Sequence, residues 1–147
     1  MLVKDLMTTC VSCIKPATSI SQIARQMKQD NIGSLPVCND LGNVLGIVTD
    51  RDIAIRGISN FDLAAATVSN IPTAQEIMST NMIFATPNMN LHDAALLMSK
   101  HQIRRLPVIS NQRLVGIITL ADIARKKLYV DEAGDILSAI SKAQTLS

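Results

Sequence analysis

Apolar residues recur along this chain at two alternating spacings. From Ser19, the residues Ile20, Ile23, Ala24 and Met27 fall at i, i+3, i+4 and i+7, one face of an amphipathic helix with Ser19 as its N-cap. Val11 to Ile14, ahead of it, reads as a short strand. Leu35 to Cys38 reads as a second strand and Val44 to Val48 as a third, whose unbroken apolar run predicts burial on both faces. Asn39-Asp40-Leu41-Gly42-Asn43 between them is turn chemistry. Thr49 to Arg56 predicts a second helix, ended by Gly57. The order is β-α-β-β-α.

The order then repeats. Met82 to Ala85 reads as a strand, and Asn90 caps a helix that turns Leu91, Ala94, Ala95 and Met98 inward. Arg105 to Ile109 and Leu114 to Ile118 form a hairpin through Ser110-Asn111-Gln112-Arg113, and Thr119 to Tyr129 is the closing helix. Laying Met7 on Met78 also lays Thr9 on Thr80, Pro16 on Pro87, Met27 on Met98 and Leu35-Pro36-Val37 on Leu106-Pro107-Val108. After one deletion in the turn, Gly46-Ile47 falls on Gly116-Ile117, Thr49 on Thr119, and Asp52-Ile53-Ala54 on Asp122-Ile123-Ala124. Matches at proline, glycine and polar positions mark a true internal repeat. The first repeat takes residues 1–58 and the second 73–129. A linker, 59–72, holds a short helical stretch at Phe61 to Ala66, and a tail, 130–147, places Ile136, Ile140 and Ala143 at amphipathic-helix spacing. The predicted class is α/β: two tandem repeats, each a three-stranded sheet with helices on one face, followed by a helical tail.

Composition narrows the function. Of 147 residues, 48% are apolar but only 2% aromatic, so the core is aliphatic and base-stacking platforms are scarce. A net charge of +2 is too small for a dedicated nucleic-acid binder. No apolar run approaches a membrane span, and Met1-Leu2-Val3-Lys4-Asp5 does not open a signal peptide. Three cysteines make no disulfide framework, and a reduced, cytoplasmic protein is expected. Cys10 and Cys13 are spaced C-x-x-C, but zinc wants four ligands and Cys38 does not complete the set, so they read as packing residues and no metal is expected. His92 and His101 point to opposite sides of one predicted helix. No nucleophile with a base, and no paired acid and base, stands out, which argues against an enzyme.

One repeated motif carries chemistry: Gly46-Ile47-Val48-Thr49-Asp50-Arg51-Asp52 and Gly116-Ile117-Ile118-Thr119-Leu120-Ala121-Asp122. Each copy sets a threonine hydroxyl at the end of a strand and a carboxylate one turn into the following helix. A hydroxyl and free helix N–H groups suit a phosphate, and a carboxylate can accept from both hydroxyls of a ribose diol. Thr49 and Thr119 also suit plain helix caps, and Asp52 and Asp122 suit the helix dipole. Arg125, Lys126 and Lys127 read as solvated charge at a helix end.

With the β-α-β-β-α order and the two Leu-Pro-Val segments, this motif resembles a tandem pair of CBS domains, a Bateman module, over residues 3–128. The stretches Thr49-Asp50-Arg51-Asp52-Ile53 and Ile103-Arg104-Arg105-Leu106-Pro107-Val108 are similar to those of small stand-alone bacterial CBS-pair proteins. The resemblance implies a pseudo-twofold module with two clefts for adenosine-containing ligands: AMP, ADP, ATP or S-adenosylmethionine. No further cofactor is implied. One cleft would use Thr119 and Asp122, with Arg104 and Arg105 toward phosphate and Cys10, Ser12 and Ile32 near the base. The other would use Thr49 and Asp52, with Gly33 and Ser34 in place of arginines on the phosphate side, Arg51 adding a positive charge near the helix start, and Asn81, Ile83 and Ile103 near the base. Its arginines make the Thr119/Asp122 cleft the tighter phosphate site. The likeness further implies a non-catalytic sensor, a homodimer and a target protein of unknown identity. The competing class is a nucleic-acid-associated stress or regulatory protein, against which charge and aromatic content both argue.

Overall fold

A computed structural model describes residues 1–9, 11–58, 70–126 and 137–140. The chain divides into two compact units, one of Ser12–Met82 and one that joins Met1–Val11 to Ile83–Ser147.

The Ser12–Met82 unit contains α1 (Ile20–Asp30), β1 (Ser34–Cys38), β2 (Val44–Thr49), α2 (Asp50–Asp52), which runs on as a π turn over Ile53–Ile58, and α3 (Ala74–Ile77). Ser19 caps α1 by accepting the Gln22 N–H at 3.3 Å, and Gln22 reaches back to the Ser19 N–H. Asn31 ends the helix in the left-handed region at φ 54°. β1 and β2 pair antiparallel. In their turn Asn39 Oδ1 accepts from the N–H groups of Leu41 and Asn43, while Gly42 takes φ 84°, where a side chain would strain. Ile14, Ile20, Ile23, Met27, Leu35, Val37, Val48, Ile53, Ala74 and Ile77 form the core.

The second unit contains α4 (Leu91–His101), β3 (Arg105–Ser110), β4 (Arg113–Thr119) and α5 (Leu120–Ala124). Asn111 and Gln112 turn the hairpin at φ 52° and 67°, the two successive left-handed residues of a type I′ turn. All four inward positions expected of α4 are buried, and a short 3₁₀ turn, Val3–Asp5, adds Val3 to their core.

Several expectations change in detail. The first strand of each copy shrinks to one parallel bridge, Ile14 beside Val37 and Ala85 beside Val108. Pro16 and Pro87 follow two residues later and cannot donate to a longer ladder. β2 is not buried on both faces: Leu45 stays 36% exposed, because its hairpin has a core on one side only. Ala24 is exposed, so α1 buries a narrower stripe than its spacing suggests. Gly57 is no left-handed cap. It lies buried within the π turn, where a Cβ would stand 3.2 Å from Ile20 Cδ1. Residues 137–140 of the tail are helical and Ile140 joins the core of the second unit. Ile136, Ala143 and the Phe61–Ala66 stretch lie outside the described residues. Among those described, no helix is long and apolar enough to cross a membrane.

Repeat and compact unit are different partitions of this chain. Ser79 exchanges both backbone hydrogen bonds with Ile47 of β2, at 2.9 Å each, although it belongs to the second copy. Thr8, which belongs to the first copy, makes the same pair of bonds with Ile117 of β4. Each unit is completed by the opening segment of the other repeat. The glycines make this possible: a Cβ on Gly46 would lie 2.7 Å from the Ser79 carbonyl and 2.8 Å from Met78 Sδ, and one on Gly116 would meet Met7 Sδ at 2.8 Å and the Thr8 carbonyl at 2.9 Å.

Candidate functional site

In both units a strand turns into a short helix through the same reciprocal box. Thr49 Oγ1 accepts the Asp52 N–H at 3.1 Å, and Asp52 Oδ2 accepts the Thr49 N–H at 2.9 Å. Thr119 and Asp122 repeat this at 3.1 and 2.8 Å. The capping role is therefore real. It also leaves chemistry over: each threonine keeps its O–H as a donor, and one oxygen of each carboxylate is not used by the box. The backbone beside each corner is tied down as well. The first helical N–H donates to the residue just before the first hairpin strand, Asp50 to Gly33 at 2.9 Å and Leu120 to Arg104 at 2.8 Å.

Around the second corner the structure gathers much of what the sequence suggests. Arg104, Arg105 and Thr119 line one cavity of about 500 Å³ with Leu120, Ala121, Ala124 and Leu137. Asp122 instead lines a cavity of about 320 Å³ with Asp5, Leu6, Arg125 and Lys126. Around the first corner, Gly33 is exposed and Ser34 opens β1, and a Cβ on Gly33 would lie 3.1 Å from Asp50 Oδ2. Arg51 is exposed, and its N–H donates to Asp50 Oδ1 at 2.8 Å. Of the expected base contacts, Ser12 and Asn81 are exposed members of the Ser12–Met82 unit, and Ile32 packs against its core. Ile83 and Ile103 pack against the core of the other unit. Cys10 lies outside the described residues.

The two aspartates differ. Asp52 is half-buried, and among the described residues no cation pairs with it. The Asp122 side chain is only 8% exposed, and its Oδ1 accepts from Arg125 Nη2 in an ion pair. Arg125 is thus not merely solvated charge at a helix end. The signal was present in the i, i+3 spacing of an acid and a base on one helix. Lys127 lies outside the described residues.

Cys13 is exposed and lies beside Cys38, so its described thiol neighbour lies across a strand bridge and not within the C-x-x-C spacing. Burial pushes the Cys38 thiol up to about 12, and Cys13 adds to the rise. That thiol stays protonated at neutral pH and is a poor nucleophile. Among the described residues, no group of three or more histidine, cysteine or acidic side chains is placed to hold a metal ion.

The chain is 42% identical over 139 residues to the CBS domain-containing protein YhcV of Bacillus subtilis, covering 95% of this chain and 94% of that one. Its fold is similar to the CBS domain pair of protein MJ0100, solved with 5′-methylthioadenosine and S-adenosyl-L-methionine (TM-score 0.64, 34% identity, 85% of this chain and 94% of that one). It is also similar to CBSX2 in complex with AMP (TM-score 0.72, 27% identity, 88% and 98%). The CBS domain model matches residues 3–57 and again 74–129, and the chain belongs to that family as a tandem CBS pair.

Proposed function

We propose that this protein is a non-catalytic regulatory module that senses adenosine-containing ligands and passes that binding to a partner protein. The observation that carries the reading is the cavity bringing Thr119, Arg104 and Arg105 together beside a corner that the chain builds twice. Two guanidinium groups and a hydroxyl are donors of the kind that hold a phosphate. A carboxylate whose Oδ2 is already fixed by a backbone N–H is oriented before any ligand arrives, so little ordering is left to pay for on binding. The other oxygen is the natural acceptor for a ribose hydroxyl, open at Asp52 and held by Arg125 at Asp122. The relatives solved with AMP and with S-adenosylmethionine support the same ligand class. Signalling then requires that the ligand bind one arrangement of the protein more tightly than another.

Calorimetric titration with AMP, ATP and S-adenosylmethionine, with GMP as comparison, tests this. Saturable heat with the adenine compounds is expected, together with a rise in melting temperature, since ligand at about a hundred times its Kd stabilises by roughly 2.7 kcal/mol. No heat and no melting shift up to about 1 mM ligand, where binding free energy is only about −4 kcal/mol, would remove the reading.

A further inference from the structure

We propose that Arg125 holds Asp122 closed, so that the two Thr–Asp corners are unequal and the Asp52 corner takes a ribose first. The proposal rests on the ribose reading above and assigns a regulating residue to it. Both oxygens of Asp122 are engaged, Oδ2 by the Thr119 N–H at 2.8 Å and Oδ1 by Arg125 Nη2. Little of that carboxylate is left to solvent. The Asp52 carboxylate makes the same cap at 2.9 Å but forms an ion pair with no cation among the described residues. In the repeat register the position of Arg125 is filled in the first copy by Ile55, an exposed apolar residue that cannot pair an acid.

A diol reaching Asp122 must replace a charge-assisted hydrogen bond with neutral ones, which is unfavourable. A diol reaching Asp52 breaks no such ion pair among the described residues. The obstacle is a gate and not a permanent block, because the Arg125 side chain is 73% exposed and solvent weakens such a pair. A displaced guanidinium also keeps an acid on the wall of the same cavity, Asp5.

Adenosine is the suitable probe, since a neutral ligand does not respond to the mere loss of a positive charge. In protein carrying Asp52→Ala, which leaves only the Asp122 corner, adding Arg125→Gln is expected to tighten adenosine binding roughly three- to fivefold. In protein carrying Asp122→Ala, Arg125→Gln is expected to change nothing. Salt supplies a second readout that needs no substitution at 125: raising it from about 0.05 to 0.5 M screens the pair and tightens adenosine binding to the Asp52→Ala protein. Unchanged or weaker binding on Arg125→Gln, with an unaltered melting temperature, would overturn the gate while leaving the sensor reading in place. Loss of adenosine binding in the Asp52→Ala protein with and without Arg125→Gln would overturn it too. Failure of the unaltered protein to bind any adenosine compound would defeat the sensor reading first and the gate with it.

Discussion

Gly46→Ala and Gly116→Ala are each expected to lower the stability of the protein by about 2–4 kcal/mol. Neither glycine has a positive φ, so the effect comes from space and not from backbone conformation. The added methyl carbon at 46 would sit 2.7 Å from the Ser79 carbonyl oxygen, well inside van der Waals contact. That carbonyl cannot retreat freely, because it accepts the Ile47 N–H while the Ser79 N–H donates back. Overpacking of this kind costs about 1–3 kcal/mol, and losing a bridge bond adds about 1 kcal/mol. For a chain of this length the melting temperature should fall by roughly 5–15 °C. Gly57→Ala is the control. Its nearest neighbour is the far end of the Ile20 side chain at 3.2 Å, which can rotate, so a change within about 1 kcal/mol is expected. Thermal melts of the three variants decide. Equal losses at all three positions would mean that glycine itself, and not the close approach of Ser79 and Thr8, is what matters.

The second large effect concerns the ligand. Removing the ribose 2′-hydroxyl is expected to weaken binding roughly 10- to 100-fold, because a hydrogen bond to a charged acceptor contributes about 1.5–3 kcal/mol. The acceptor assigned is Asp52 Oδ1, the oxygen left over from the Thr49 box. Asp52→Ala should therefore bind AMP and 2′-deoxy-AMP about equally at that corner, both weakly. Titrating both nucleotides into Asp122→Ala protein, with and without Asp52→Ala, isolates the term. A discrimination between AMP and 2′-deoxy-AMP that survives Asp52→Ala would place the diol elsewhere.

Much of the fold was legible in the chain because the informative contacts are local. Ser19 and Asn90 cap their helices as their spacing suggests, and the hairpin turns fall on Asn39–Asn43 and Asn111–Gln112. The Thr–Asp boxes close over three residues, so a repeated motif reveals them directly. The cavity that unites Arg104, Arg105 and Thr119 follows from the pairing of β3 with β4, which puts Arg105 opposite Thr119. What escaped is what single-residue, long-range contacts decide. The Ile47–Ser79 and Thr8–Ile117 bridges leave no alternation to read, so the exchange of leading segments between units has no periodic signature. The proximity of Cys13 to Cys38 comes from the parallel bridge of Ile14 with Val37, whereas the C-x-x-C spacing drew attention to Cys10. The Arg125 pair depends on where α5 ends, and helix ends are poorly defined by pattern.

Whether the duplicated Thr–Asp corners bind adenosine ligands is decided by titrating AMP into the protein and into its Asp52→Ala/Asp122→Ala double variant, with the fold of each verified by circular dichroism. Saturable binding to the first and none to the second is expected. Undiminished AMP binding by a folded double variant would contradict it.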